Sequence, residues 1–314
     1  MVELTYLQAI VIGLLQGVTE LFPISSLGHS VLVPAWLGGD WAHLVTEYGT
    51  SESSQSPYLA FIVALHVATA LALLWFYRRD WTAIVGGFLT TLRTRKVQTS
   101  TERLAWLIVI ATIPVGLTGL VLEHAFRVLF AKPTAAAAFL ILNGLILLLG
   151  ERLRRRADAR ASVLVGSEPA DRLSDDAIRQ PVYGGPDRRL VTLGYREAGI
   201  IGLFQTFALL AGISRSGITM VGGLVRGLDH EDAAKFSFLL ATPVILAAGV
   251  LKIPSLAGPA GAGIHGQVIV GSIAAGLAAY ASVRFLTRYF TTRTLTPFAL
   301  YCLLAGGLSL MRFA

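Results

Sequence analysis

The sequence predicts an all-α polytopic membrane protein with six transmembrane helices and two re-entrant helical hairpins in an inverted-topology repeat. Three observations predict this fold: an apolar composition, basic residues confined to a few loops, and a repeat shared by the two halves of the chain. The 314 residues are 54% hydrophobic and 14% charged, whereas soluble domains average about 25% charged residues.

Six apolar segments each approach the length of roughly 20 residues that a helix needs to cross the hydrocarbon core. They lie at residues 59–77, 104–122, 134–150, 236–254, 267–285 and 295–312. The first 35 residues are also apolar, but they contain Glu20 and Pro23 and lack a basic leading region, so we expect them to belong to the mature fold. Cys302 is the only cysteine, which excludes an intramolecular disulfide and a cysteine metal site.

Most lysines and arginines lie between these apolar segments. Six fall in residues 78–103, ten in 152–196 and three in 284–293. With Arg226 and Lys235 they make up 21 of the 26 basic residues, and the positive-inside rule assigns them to the cytoplasm. Both termini are then expected outside. Because orientation explains the net charge of +7, we predict no nucleic-acid partner.

We expect one membrane domain over residues 1–314, with a first repeat unit at 1–150 and a second at 197–314. The segment 151–196 mixes seven acidic residues with its arginines and shows little apolar periodicity. That pattern is typical of a flexible connection. We therefore predict a cytoplasmic loop over 151–196.

An internal repeat relates the two units. A shift of 189 positions aligns residues 12–16 with 201–205 and residues 24–28 with 213–217. Over residues 9–28, nine of the twenty positions are identical. Each copy precedes three apolar segments, which is an odd number, so the second copy is expected to be inverted in the membrane.

Each copy of the repeat contains helix breakers near its middle. Pro23 and Gly28 interrupt the first copy, and Gly212 and Gly217 interrupt the second. Each copy therefore reads as a hairpin of two half-helices, and the two tips are expected to meet near the middle of the membrane. Helix ends that meet there present unpaired N–H groups and positive dipole ends, which favour an anion.

Arg215 is the most informative polar residue, because it stands among hydroxyls and glycines with long apolar sequence on both sides. An arginine at membrane depth costs roughly 2.5 to 3.5 kcal/mol, and its planar fork matches the oxygens of a phosphate group. We therefore predict that Arg215 binds phosphate. Ser214, Ser216 and Thr219 are candidate hydroxyl donors to the same group.

The first copy supplies the remaining chemistry. Gln16 and Glu20 share one helix face, and Ser25, Ser26 and His29 follow just beyond the break. A carboxylate beside a phosphate is repulsive unless a cation lies between them, so Glu20, helped by the Gln16 carbonyl, is predicted to hold Mg²⁺ or Ca²⁺. His29 is a candidate general acid or base, and Ser26 is the nucleophile that it would activate.

Structural roles are the alternative for several of these residues. A lone intramembrane glutamate such as Glu20 can hydrogen-bond a neighbouring helix, and serines such as Ser25 and Ser216 can bond only to their own backbone. For His66 and Asn143, packing or interhelical hydrogen bonding is the favoured interpretation.

The chain resembles the undecaprenyl-pyrophosphate phosphatase family, also known as the bacitracin-resistance proteins. The likeness covers almost the whole chain, and its matching stretches are residues 16–29, 211–219, 236–240 and 295–301. It implies hydrolysis of a C55 polyprenyl pyrophosphate to the monophosphate and inorganic phosphate in the bacterial inner membrane, at a site that opens to the periplasm. The released lipid phosphate would carry further cell-wall precursors.

The resemblance also implies roles for individual residues. The family's glutamate motif falls on Gln16 and Glu20, and its Ser-x-x-His motif falls on Ser26 and His29. Its Pro-Gly-x-Ser-Arg-Ser motif supplies the diphosphate-binding positions Gly212, Ser214, Arg215, Ser216 and Thr219, with Ala211 in place of the usual proline.

A transporter of polyprenyl phosphate or of a small anion is the alternative function, because inverted repeats with a midplane site are typical of carriers. The phosphatidic-acid type of lipid phosphatase is disfavoured, because the chain lacks its lysine-arginine-proline motif and its later His-Asp pair. The sequence is compatible with a homodimer.

Overall fold

A computed structural model describes residues 4–43, 57–130, 132–166, 190, 192–252, 258 and 263–314. Within these residues the regular secondary structure is helical, without strands. The helices are α1 Tyr6–Thr19, α2 Ser26–Leu37, α3 Pro57–Phe76, α4 Arg78–Thr94, α5 Ser100–Phe130, α6 Pro133–Gly166, α7 Tyr195–Thr206, α8 Arg215–Val225, α9 His230–Lys252, α10 His265–Tyr289 and α11 Thr296–Phe313. A short 3₁₀ turn, Phe207–Leu209, follows α7.

The prediction of a multi-pass helical membrane protein is confirmed. Among the described residues, α5, α6, α9, α10 and α11 contain segments long and apolar enough to cross a membrane. A sixth span is counted if α3 and α4, which meet at 87°, are taken together. Large apolar side chains face outward, including Trp75, Val121, Val250 and Met311 at 64, 79, 75 and 77% exposure. This surface suits lipid rather than water.

Part of the predicted loop at 151–196 is helical. Helix α6 continues to Gly166, well beyond the apolar segment that ends at residue 150. The continuation is rich in arginine, leucine and alanine, which are strong helix formers, so the helix persists after the chain has become polar. Residues 167–189 of the predicted loop lie outside the described residues.

The two copies of the repeat pack in equivalent ways. Helix α1 lies against α10, and α7 lies against α5. Both contacts depend on glycines that the repeat aligns: a Cβ at Gly13 would lie 2.4 Å from the Gly271 carbonyl oxygen, and one at Gly202 would lie 2.4 Å from that of Ala111. The helices approach this closely because neither glycine has a side chain.

Helices α1 and α7 are both too short to span the membrane. The 14 residues of α1 extend about 21 Å, whereas the hydrocarbon core is about 30 Å thick. After α1 the chain turns through residues 20–25 and re-enters a helix at Ser26. After α7 it turns through the 3₁₀ segment and residues 210–214 before α8. These two turns, called here the first and second bend, carry the candidate site.

Candidate functional site

The first and second bends touch each other. The Ser25 hydroxyl accepts hydrogen bonds from the amide of Gly28 in its own helix and from the amide of Gly212 in the other bend, at 3.2 and 3.1 Å. Ser25 and Gly212 have φ of 72° and 113°, a region that favours glycine. A Cβ at Gly28 would lie 2.9 Å from the Gly212 Cα. The bends therefore pack backbone to backbone.

Asn143 of α6 joins the two bends. Its amide nitrogen donates to the Pro23 carbonyl of the first bend at 3.0 Å, and its amide oxygen accepts from the Ser214 amide of the second bend at 3.0 Å. Asn143 is fully buried, so both bonds are shielded from competing water. The predicted interhelical hydrogen bonding of Asn143 is confirmed.

Glu20 and Arg215 form a buried ion pair between the bends. Arg215 Nη2 lies 2.6 Å from Glu20 Oε1, and the two side chains are 12 and 6% exposed. The other carboxylate oxygen accepts from the Ser26 hydroxyl at 2.5 Å and from the Gln16 amide nitrogen at 3.2 Å. The carboxylate thus has partners on both oxygens, as a buried charge requires.

A cavity of about 240 Å³ adjoins this ion pair. Its polar end is formed by residues of both bends together with His66 of α3 and Gln205 of α7. Its remaining walls are apolar, with contributions from Val115 of α5 and Ile245 of α9. The cavity can therefore receive a molecule with one polar and one apolar part.

Groups that favour an anion lie at the polar lining of the cavity, beside the Glu20 carboxylate. Arg215 keeps Nη1 buried without a hydrogen-bond partner among the described residues. Helices α2 and α8 both begin at the cavity, where Ser25 and Ser214 cap their first turns by accepting from Gly28 and Gly217. Two helix N-termini and a guanidinium N–H directed to one place favour an anion.

His66 of α3 lies beside Glu20. His66 Nε2 lies 3.3 Å from Glu20 Oε2, and His66 Nδ1 lies 2.8 Å from the Ile62 carbonyl oxygen. A carbonyl oxygen only accepts, so Nδ1 carries a proton. The ring consequently presents Nε2 to the carboxylate.

His29 does not contact Ser26 through its ring. Nδ1 donates to the Ser25 carbonyl at 2.7 Å, and Nε2 lies 2.8 Å from the hydroxyl of Tyr301 in α11. The local backbone carbonyl and Tyr301 thus engage both ring nitrogens, and the activation of Ser26 by His29 stays a prediction. The partner of the Ser26 hydroxyl is Glu20.

Other predicted site residues support the bends without lining the cavity. Ser216 donates to the Phe22 carbonyl at 3.1 Å, and Thr219 donates to the Arg215 carbonyl at 2.7 Å. Gly212 provides the close backbone contact described above. Gln16 presents its amide nitrogen to Glu20 rather than the carbonyl oxygen that was expected to assist a cation.

Two polar residues of the cavity lining lie outside the predicted site, namely His66 and Gln205. Gln205 is the repeat counterpart of Gln16 at the shift of 189, so extending the motif to the second copy would have found it. The only sequence signal for a role of His66 was its position inside an apolar segment. Its proximity to Glu20 depends on how α3 packs, which the sequence does not encode locally.

Comparisons with known proteins identify the family. The family described as bacitracin resistance protein BacA matches residues 9–308. An undecaprenyl-diphosphatase 2 of Frankia alni is 63% identical over 99% of this chain and 99% of its own length. Undecaprenyl-diphosphatases of Mycolicibacterium paratuberculosis and Gluconacetobacter diazotrophicus are 60 and 45% identical, covering 99 and 98% of this chain and 98 and 96% of their own lengths.

Replacing Ser25 by alanine is expected to destabilise the protein by about 2 kcal/mol, because the amides of Gly28 and Gly212 would lose their buried acceptor. The thermal midpoint of unfolding in detergent measures this effect. Ser30→Ala is the matched control, since the Ser30 hydroxyl bonds only to the Leu27 carbonyl of its own helix. Equal midpoints for the two variants would contradict a bridging role for Ser25.

Proposed function

This chain belongs to the bacitracin resistance protein BacA family, and on that premise we propose that it hydrolyses undecaprenyl diphosphate to undecaprenyl phosphate and inorganic phosphate. Its relatives that carry the name undecaprenyl-diphosphatase align over nearly its full length. The reaction returns the lipid carrier of cell-wall precursors to its monophosphate form. The enzyme would act in the bacterial inner membrane.

The observation that carries this proposal is the unpartnered N–H of Arg215 at the polar end of the cavity. A buried donor on a charged group without a partner is unfavourable, and a phosphate oxygen would satisfy it. Ser214 and Ser26 flank that position at the starts of α8 and α2. We assign the terminal phosphate to Arg215, beside the N-termini of these two helices.

The apolar walls of the cavity suit the lipid part of the same substrate. Ile62, Val115 and Ala248 come from α3, α5 and α9, three helices with long apolar sequences. A prenyl chain leaving the diphosphate can lie against them without desolvating a polar group. Inorganic diphosphate would lack that contribution to binding.

We further propose that α1–α2 and α7–α8 are re-entrant hairpins in two inverted units, with six spans around them. The shortness of α1, the equivalent packing of Gly13 and Gly202, and the contact between the bends support this arrangement. The distribution of arginines would then place the opening of the cavity toward the periplasm.

Glu20 and Ser26 are the residues that we assign to the reacting phosphate. The Ser26 hydroxyl donates to Glu20, so its oxygen lone pairs remain available at the cavity. When the diphosphate binds, Arg215 can share its fork between Glu20 and a phosphate oxygen. His29, held by Ser25 and Tyr301, positions the start of α2 and hence the hydroxyl of Ser26.

The donor set fits a hard divalent cation only in part. Among the described residues, no group of three metal-binding side chains is present, and Glu20 is the one acidic side chain that lines the cavity. Mg²⁺ is often bound by one or two carboxylates completed by substrate phosphates. We propose that Glu20, supported by Gln16, holds Mg²⁺ or Ca²⁺ together with the diphosphate. A bound cation would neutralise charge on the phosphates.

Turnover distinguishes this function from transport. The purified protein in detergent with Mg²⁺ is expected to release phosphate from undecaprenyl or farnesyl diphosphate, and more slowly from inorganic diphosphate, because only the lipids reach the apolar walls. A colorimetric phosphate assay measures the rates. No phosphate from either lipid, together with lipid or anion flux in liposomes, would establish the carrier instead.

Arg215→Lys is expected to lower kcat/KM roughly 10- to 100-fold, because an ammonium cannot bind Glu20 and a phosphate oxygen with a planar fork. Steady-state kinetics with farnesyl diphosphate measure the loss. The matched control is Arg226→Lys, since Arg226 is exposed at the end of α8 and should tolerate the change. A near-normal rate for Arg215→Lys would remove Arg215 from phosphate binding.

Glu20→Gln is expected to weaken binding of the divalent cation about tenfold or more, because it removes the carboxylate charge. Electron paramagnetic resonance of Mn²⁺ measures binding directly, with and without methylenediphosphonate. Wild-type protein should bind Mn²⁺ tightly only with the diphosphonate present. Asp40→Asn is the control and should bind Mn²⁺ as the wild type does, because Asp40 is exposed. Tight Mn²⁺ binding by Glu20→Gln would contradict the assignment.

A further inference from the structure

Gln205 is a buried carboxamide that the proposed roles leave unexplained. Its side chain is fully buried and lines the cavity that holds Glu20 and Arg215. Its nitrogen donates to the Ala111 carbonyl of α5 at 3.3 Å. Its oxygen is buried without a hydrogen-bond partner among the described residues.

The contact with Ala111 determines which polar atom of the Gln205 carboxamide remains without a hydrogen-bond partner. A carbonyl oxygen only accepts hydrogen bonds, so the nitrogen of Gln205 must face it. Rotating the amide by half a turn would bring two acceptors together. The oxygen is therefore the end that remains for a cavity ligand, and leaving it unpaired costs about 1 to 3 kcal/mol.

The internal repeat explains why the nitrogen of Gln205 bonds to another helix and not within its own. Gln16, its counterpart in the first copy, donates to Glu20 four residues later. The residue four positions after Gln205 is Leu209, which offers no polar group. The second copy thus retains the glutamine without the carboxylate that occupies it in the first copy.

The carboxamide oxygen of Gln205 only accepts hydrogen bonds, so its ligand must be a donor. A diphosphate at neutral pH presents mainly acceptor oxygens, so direct contact with the Gln205 oxygen would be unfavourable. A water molecule can donate one hydrogen to Gln205 and still direct a lone pair at phosphorus. In guanosine triphosphatases a glutamine orients the attacking water in this way.

We propose that Gln205 is a positioning residue whose carboxamide oxygen holds the water that attacks the terminal phosphorus; this rests on the proposed hydrolysis. The water oxygen forms a new bond to the terminal phosphorus as the bond between that phosphorus and the bridging oxygen breaks. The bridging oxygen stays on the lipid phosphate, which is the leaving group. Both water protons leave with the inorganic phosphate, which then equilibrates with the solvent. No oxidant or second substrate is needed.

Gln205→Met tests this role, because methionine has a similar length and lacks the acceptor. The expected result is a 10- to 100-fold lower kcat for farnesyl diphosphate, as for a misplaced reactant. KM, the Kd of non-hydrolysable farnesyl methylenediphosphonate and the Mg²⁺ concentration for half-maximal rate should stay within twofold. The thermal midpoint should not fall, because the variant removes an unpaired polar atom.

Thr206→Val is the matched control. Thr206 follows Gln205 in α7 and does not line the cavity. Among the described residues its hydroxyl bonds only to the Leu203 carbonyl of its own helix, at 2.6 Å. Its kcat should stay within twofold of the wild-type value. A general sensitivity of α7 to substitution would lower the rates and midpoints of both variants together.

Three results would overturn the role of Gln205 while leaving the proposed hydrolysis intact. They are a normal kcat in Gln205→Met, a weaker Kd for the analogue, and a shifted Mg²⁺ requirement with a normal rate at saturation. A weaker Kd would show that Gln205 binds the substrate, and a shifted Mg²⁺ requirement would show that it affects the cation. If wild-type protein releases no phosphate, the hydrolysis itself fails and the positioning role falls with it.

Discussion

The ion pair between Glu20 and Arg215 is the interaction on which the candidate site depends. The two charges come from positions 195 residues apart, and each would be unfavourable alone among apolar helices. They meet at 2.6 Å only because the two bends pack backbone to backbone. The bond from Gly212 to Ser25, the Asn143 bridge and the close approach of Gly28 all serve that geometry.

Differences between the repeat copies give the site its chemistry. At the shift of 189, Glu20 corresponds to Leu209, and Arg215 corresponds to Ser26. Each copy therefore contributes what the other lacks, since the first carries the acid and the second carries the guanidinium. Some positions that build the bends are instead retained, namely the serine caps Ser25 and Ser214 and the glycines Gly28 and Gly217. The duplicated scaffold brings together two sets of side chains that are not duplicated.

The accuracy of the sequence predictions depended on how local each feature is. Apolar length located the long helices, and hydroxyls around Arg215 identified a polar centre. The partners of the His29 ring were not evident from the sequence, because Tyr301, which engages one of its nitrogens, lies far along the chain. His66 was assigned to packing or hydrogen bonding between helices, and the structure adds that its partner is Glu20.

The sequence by itself determined the helical membrane class, the repeat and the two charged residues, because hydropathy, helix breakers and identity at a fixed shift are written along the chain. Only the tertiary structure decided which polar atoms pair and which stay unpaired. Ser26 bonds to Glu20, whereas Arg215 Nη1 and the Gln205 oxygen keep no partner among the described residues. Hydrogen bonding depends on distance and direction between helices that are remote in sequence, and no local pattern specifies either.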